Sequence, residues 1–281
     1  MSVQRKNIKK SNPIGVFDSG YGGLTVLKEI VKVLPQYDYI YLGDNARAPY
    51  GTRSFDTVYH YTLECVNRLF SMGCELIVLA CNTASAKALR NIQQKDLPLI
   101  ALDKRVLGVI RPTTEIVGRY SKTGHVGILG TSGTISSNSY PIEIAKFFPQ
   151  LTVHQEACPM WVPLIENNEL ENEGADFFIK KHIRNLLAKN KSIDTIILGC
   201  THYPLLINKI KKYLPPNVRI LSQGEIVAMS LADYLKRHVN IEKKCSKGSN
   251  IDFYTTDSSE NFDAAAKMFF GKGIQSKYLE L

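Results

Sequence analysis

The chain has 281 residues, 44% of them hydrophobic and 22% charged, which suffices for one large domain or two ordinary ones with real cores. No stretch of about 18 apolar residues occurs, so no membrane-spanning helix is expected. The net charge of +9 raises the question of a nucleic-acid partner. The lysines, however, are scattered (Lys6, Lys9 and Lys10; Lys209, Lys211 and Lys212; Lys243, Lys244 and Lys247) and no aromatics interleave with them. A solvated basic surface that attracts a small acidic substrate is the expectation, with no nucleic acid required.

Met1 to Asn12 is basic and polar without an apolar centre, so it reads as an arm before the first strand and not as a secretory signal. Ile14 to Phe17 is strand-like, and Leu24 to Leu34 is helical up to Pro35. Between them lies Asp18-Ser19-Gly20-Tyr21-Gly22-Gly23, a glycine-rich turn able to present backbone N–H groups. The turn is not GxGxxG, and Asp18 would repel a phosphate. Asp18 suits a substrate ammonium or a proton-transfer partner, and with Ser19 it also suits a helix N-cap. A second strand, Tyr39 to Leu42, opens into Gly43-Asp44-Asn45-Ala46-Arg47-Ala48-Pro49-Tyr50-Gly51, a polar loop with an expected Asp44–Arg47 ion pair. Helical spacing covers Phe55 to Met72.

Leu76-Ile77-Val78-Leu79-Ala80 runs straight into Cys81-Asn82-Thr83-Ala84-Ser85, which reads as a buried strand, a short turn and a helix start. Open α/β sheets place ligands at such strand ends. Ala84 to Gln94 is expected as helix, Leu97 to Leu102 as strand, and Asp103 to Val117 as a crossing into a second half. That half holds a strand at His125 to Leu129, hydroxyls at Thr131-Ser132-Gly133-Thr134, a helix at Ser139 to Phe148 and a strand at Thr152 to Glu156. In Ala157 to Glu166 two prolines bracket the single tryptophan, Trp161, which reads with Met160 as core packing. Glu166 is either an acid near a helix start or a residue facing the cleft. Gly174 to Lys189 is helical, and Ile193 to Leu198 is a strand that runs into Gly199-Cys200-Thr201-His202-Tyr203-Pro204. Helix at Leu205 to Tyr213, strand at Arg219 to Leu221, helix at Glu225 to His238 and a charged linker at Ile241 to Asn250 follow. Ile251 to Thr255 and Asp263 to Phe270, strand and helix, are expected to return and complete the first half.

The chain repeats itself. Cys81 and Cys200 end similar strands 119 residues apart, and Ile14 to Gly20 resembles Val126 to Ser132 at an offset of 112. Two echoes in the same order point to an internal duplication: two pseudo-symmetric α/β domains with mainly parallel sheets, each offering one cysteine to a cleft between them. The six cysteines include no CxxC pair, and Cys74, Cys81 and Cys200 sit in or beside apolar runs. Reduced thiols in a cytoplasmic protein are expected, with no metal site.

A cysteine at a strand end before a helix start is favoured as thiolate. One such cysteine suggests a nucleophile, as in a cysteine hydrolase. Two, on opposed halves, suit a different use: one takes a proton from a stereocentre while the other delivers one to the opposite face. A thiol of pKa about 8.5 can reach both forms near neutral pH. His202 can share the proton of Cys200, and Asp18 that of Cys81. Asn82, Thr83, Thr131, Thr134 and Thr201 are suitable donors for the charge that develops.

Five motifs together resemble the bacterial glutamate racemases of the aspartate/glutamate racemase family. They are Val16-Phe17-Asp18-Ser19-Gly20-Tyr21-Gly22-Gly23-Leu24, Gly43-Asp44-Asn45-Ala46-Arg47, Pro49-Tyr50-Gly51, Ala80-Cys81-Asn82-Thr83-Ala84-Ser85 and Gly199-Cys200-Thr201-His202-Tyr203-Pro204. The resemblance spans about residues 14 to 225; Asn45 departs from it, standing where threonine is usual. It implies two-base interconversion of L- and D-glutamate without a cofactor, supplying D-glutamate for peptidoglycan. Cys81 would take the α-proton of D-glutamate and Cys200 that of L-glutamate, assisted by Asp18, Glu166 and His202. Substrate contacts would come from Asp18, Ser19, Pro49, Tyr50, Gly51, Asn82, Thr83, Thr131, Thr134, Thr201 and His202. It also implies a homodimer and two domains, residues 1–106 with 223–281 and residues 107–222. Other acidic substrates, aspartate among them, share the two-cysteine plan and stand as the alternative.

Overall fold

The computed structural model describes residues 12–281, so the expected N-terminal arm lies almost wholly outside the described residues. Two sheets organise the chain, and every strand pair in both is parallel. The first contains β1 (Ile14–Asp18), β2 (Tyr39–Gly43), β3 (Leu76–Leu79) and β4 (Arg105–Gly108). The second contains β5 (His125–Gly130), β6 (Thr152–Ala157), β7 (Thr195–Gly199) and β8 (Arg219–Leu221). The tail adds β9 (Ile251–Thr255) and β10 (Ser276–Tyr278) to the first. The orders are β10-β9-β2-β1-β3-β4 and β6-β5-β7-β8. β1, β2, β3 and β7 are buried along their whole length, as near-continuous apolar strands covered on both faces must be.

The duplication is visible in the strand registers. Gly15 pairs with Ile77 and Phe17 with Leu79 in the first sheet. In the second, Gly127 pairs with Ile196 and Leu129 with Leu198. These are the same pairings displaced by the two sequence offsets, 112 for the first strand and 119 for the second. The strand order 2-1-3-4 likewise recurs as 6-5-7-8. β9 pairs with β2 from Tyr39↔Ile251 to Gly43↔Thr255, so the tail does return to the first sheet.

Helix α1 (Leu24–Val33) buries Leu24, Val26, Leu27 and Ile30 and packs beside the helix Gln223–Arg237. Helix α2 (Phe55–Ser71) starts at Ser54, whose hydroxyl accepts the N–H of Thr57. Trp161 is buried as expected, edge-on to Tyr203 with ring centroids 4.8 Å apart, whereas Met160 is exposed.

Leu97 to Leu102 is not a strand. Pro98 cannot donate to a ladder and sits instead at the start of a short helix, Leu97–Ile100. The strand comes later, at β4, where Leu76 pairs with Arg105. The charged stretch after Arg237 also contains a helical turn, Val239–Glu242. β10 was not expected, because Ser-Lys-Tyr on a sheet edge has no apolar pattern.

Candidate active site

Cys81 follows β3 and is the N-cap of helix α3 (Asn82–Lys87): its sulfur accepts the Ala84 N–H at 3.4 Å. The small residues Ala84, Ser85 and Ala86 let that helix begin directly behind the cysteine. Cys200 follows β7 at the corresponding place in the second sheet. The two thiols are 5% and 6% exposed and line one cavity, with Ser19, Pro49, Tyr50, Gly51, Asn82, Thr83, Thr131, Glu166, Thr201 and His202 also on its wall. All six cysteines of the chain are unpaired and buried. A larger cavity of about 700 Å³ opens elsewhere, with Arg90, Arg111 and Lys146 on its wall, but neither Cys81 nor Cys200 reaches it.

The two cysteines have different partners. Ser19 Oγ lies 3.4 Å from Cys81 Sγ. Burial pushes the Cys81 thiol up to about 12, and the nearby charge of Asp18 adds to this, against the bonds from Ser19 and Ala84. Asp18 is itself 1% exposed, and burial raises its carboxyl above the ordinary range. One of its oxygens accepts the Gly20 N–H at 3.0 Å, and the other makes no hydrogen bond among the described residues. Asp18 stands behind the cavity wall, placed to act on Cys81 through its charge.

On the other side, His202 Nδ1 lies 3.9 Å from Cys200 Sγ, and its Nε2 lies 2.8 Å from Glu166 Oε1. Burial lowers the imidazole pKa, but the bonds to Cys200 and Glu166 outweigh it and raise it to about 10. His202 therefore holds its proton near neutral pH, beside Cys200. Glu166 ends the helix Trp161–Glu166, so of its two readings the cleft-facing one holds and the helix-start one does not. Phe269, from the C-terminal helix Ser259–Phe270, packs edge-on against the imidazole at 5.1 Å. Thr25 Oγ1, on α1, lies 2.9 Å from the Thr201 carbonyl oxygen and ties this loop to the first sheet's helices.

Hydroxyls and amides complete the cavity. Thr83 Oγ1 lies 3.0 Å from Thr131 Oγ1 and 3.4 Å from Thr134 Oγ1, forming a triangle across the seam between the halves. Thr131 is held as the N-cap of the helix Ser132–Ser136. Thr134 is fully buried in the triangle and is not on the cavity wall. Gly133 donates its N–H to Gly51 O at 2.7 Å, a second bond across the seam. Asn82 Oδ1 accepts the Tyr140 hydroxyl at 2.7 Å, while its Nδ2 has no partner among the described residues. A buried amide with one end satisfied and the other free is a donor prepared for a carboxylate.

Sequence reasoning missed Tyr140, and also Thr52, Ser132, Val162 and Pro163 on the wall. Ser132 had a signal, since it lies inside the Thr131-Ser132-Gly133-Thr134 turn. Tyr140 had none, because nothing in a helical tyrosine tells which residue of the other half it meets.

Two buried thiols at equivalent strand ends line one cavity, and the relatives of this chain make it an amino-acid racemase of the isomerase class. The chain belongs to the Asp/Glu/Hydantoin racemase family, whose profile matches residues 14–231. It is 39% identical over 269 residues to the glutamate racemase of Persephonella marina, covering 95% of this chain and 97% of that one. It is also similar to the crystal structure of a glutamate racemase isoform from Bacillus anthracis, with TM-score 0.87, 37% identity and coverage of 97% and 98%. The glutamate racemase of Francisella tularensis, solved in complex with D-glutamate, matches with TM-score 0.85, 31% identity and coverage of 96% and 98%.

Proposed function

We propose that the protein interconverts L- and D-glutamate by a two-base mechanism without a cofactor, using Cys81 and Cys200. The observation that carries this reading is the placement of the two cysteines at equivalent strand ends on one cavity. The D-glutamate complex of the Francisella relative supports glutamate as the substrate.

Cys81, as thiolate, takes the α-proton of D-glutamate. The electron pair stays on the α-carbon, next to the carboxylate, as a planar carbanion. The Cys200 thiol delivers its proton to the opposite face, leaving L-glutamate and a Cys200 thiolate. In reverse the roles exchange. Asp18, buried behind Cys81, acts on that thiol through its charge, and His202, held by Glu166, gives a proton to Cys200 and takes it back. Asn82 Nδ2, the Thr83 and Thr201 hydroxyls and the backbone around Ser19, Pro49, Tyr50 and Gly51 bind the carboxylates and bear the developing charge. Thr131 and Thr134 hold Thr83 in place.

The same reading takes the protein to be a cytoplasmic homodimer that supplies D-glutamate for peptidoglycan synthesis. It divides the chain into residues 1–106 with 223–281 and residues 107–222. Circular dichroism of L- or D-glutamate in D₂O, with aspartate as control, tests the function. Loss of rotation from both glutamate enantiomers with deuterium at the α-carbon is the expected result. Activity on aspartate alone would keep the mechanism and change the substrate.

A further inference from the structure

The loop that walls the cavity from Ala48 to Thr52 is anchored by a residue that does not touch the cavity, Asp44. Asp44 directly follows β2 and is fully buried, and its N–H donates to Asp18 O at 3.0 Å. Its side chain uses both oxygens. Oδ2 accepts the Tyr50 hydroxyl and the Arg47 Nε–H, the latter at 2.7 Å. Oδ1 accepts the Thr256 hydroxyl at 2.8 Å. Arg47 is held in turn by Glu64 and lies over the Tyr61 ring, 4.1 Å from its centroid. Thr256 comes from the far end of the chain, just after β9, and its N–H donates to Gly43 O at 3.1 Å. Its hydroxyl oxygen also accepts the Ala46 N–H at 3.1 Å.

The consequence lies in where Tyr50 points. Its phenol is spent on Asp44 and its ring packs between Phe17 and Tyr61, at 6.3 and 5.8 Å. Burial, with Asp44 and Cys65 beside it, raises the phenol pKa, so it stays a proton donor. The side chain is thus an anchor, and the main chain of Tyr50 and Gly51 is what remains for a ligand. At its other end the loop is tied by Gly51 O to the Gly133 N–H and by Arg53 O to Lys87 Nζ, each at 2.7 Å.

We propose that Asp44 is a positioning residue that sets the substrate-binding backbone of the Ala48–Thr52 loop through Tyr50, and that Thr256 from the end of the chain completes this anchor. The inference rests on the racemase reading above. A charged hydrogen bond of this kind, once broken, leaves the loop free to move, and binding to a misplaced backbone weakens before the proton transfers themselves do.

The test is steady-state racemisation of both glutamate enantiomers by wild type, Asp44→Asn, Tyr50→Phe, Thr256→Val and Thr256→Ser, with Tm measured for each. Asp44→Asn and Tyr50→Phe should raise KM about tenfold for both enantiomers with a much smaller change in kcat. Thr256→Val should raise KM less, and Thr256→Ser, which keeps the hydroxyl, should restore it. Tyr50→Phe removes one oxygen from an otherwise unchanged ring and decides the matter if Asp44→Asn does not fold. Folded variants with wild-type KM, or a fall in kcat at constant KM, overturn the proposal. An active wild type with unaffected variants overturns this inference alone; a wild type inert towards glutamate overturns the racemase reading with it.

Discussion

Gly22 and His202 meet across the cleft: a β-carbon on Gly22 would stand 2.4 Å from the imidazole Nδ1 and 2.2 Å from Thr201 Oγ1. No side-chain carbon fits there without moving the imidazole that lies beside Cys200. Gly22→Ala should therefore cost about 1–3 kcal/mol in stability through overpacking. It should also lower kcat well beyond what the lost stability explains. Activity per folded molecule, with folding followed by thermal melting, checks this; an alanine variant with normal kcat would show that the imidazole has freedom the structure denies it.

Each cysteine should be indispensable to inversion but not to exchange. Cys81→Ser and Cys200→Ser should each lower racemisation by about 10²–10⁴-fold, the usual contribution of a positioned acid or base. The enantiomers have equal free energy, so kcat/KM must stay equal in the two directions for every variant, however damaged. What differs is exchange. Cys200→Ser should still wash deuterium into D-glutamate, and Cys81→Ser into L-glutamate, without inversion. Mass spectrometry of recovered substrate reads this, and exchange of the opposite enantiomers would reverse the assignment of the two thiols.

Tyr140→Phe should weaken substrate binding without touching the cysteines. The lost hydroxyl leaves the buried Asn82 Oδ1 unpaired at a cost of about 1–3 kcal/mol, and the amide is then free to turn its donor away from the cavity. A severalfold rise in KM is expected with the pH profile of kcat unchanged. An unaltered KM would mean that Asn82 is held by its surroundings alone.

Stability should fall on the alkaline side. His202 has a folded pKa of about 10 against an ordinary 6.5, so between those values the folded protein holds a proton that the unfolded chain has lost. The stabilisation is complete below about pH 6.5 and disappears as pH rises through about 10. Cys81, at about 12 against an ordinary 9.0, acts in the same direction at higher pH. Tm measured from pH 7 to 10 should decline, and His202→Gln should flatten that decline. A variant with the same slope would place its origin elsewhere.

The cysteine motifs were legible because each is local. At Cys81 an apolar run, a cysteine and small polar residues in sequence already contain the strand, the cap and the helix start; at Cys200 the strand is there, but a turn and the 3₁₀ helix Tyr203–Leu206 follow, with His202 at its N-cap. The duplication was legible because two offsets agreed, and the registers of Gly15 with Ile77 and Gly127 with Ile196 repeat it. What escaped depends on non-local contact. The apolar Leu97 to Leu102 looked like a strand, yet Leu99 is 86% exposed in the short helix that Pro98 helps to open. Periodicity cannot see that Pro98 excludes the ladder in favour of Arg105 to Gly108. Glu166 could be read two ways until His202 supplied the partner, and Tyr140 was silent because its role belongs to Asn82, 58 residues away.

The position of β9 bears on how the molecule is made. β9 lies between β2 and β10, yet it is synthesised after all four strands of the second sheet. On the ribosome, β2 waits with one edge unpaired while about two hundred further residues emerge, and such an edge is open to wrong partners. The β5–β8 sheet can close from its own contiguous sequence long before that. Thr256 reaches Asp44 only when β9 docks, so before then the Ala48–Thr52 loop has its bonds to Asp44 and Gly133 but lacks the hydroxyl that completes the anchor. Completion of the first sheet and of the Asp44 anchor is thus a late event in synthesis, set by β9 and not by the strands that carry the cysteines.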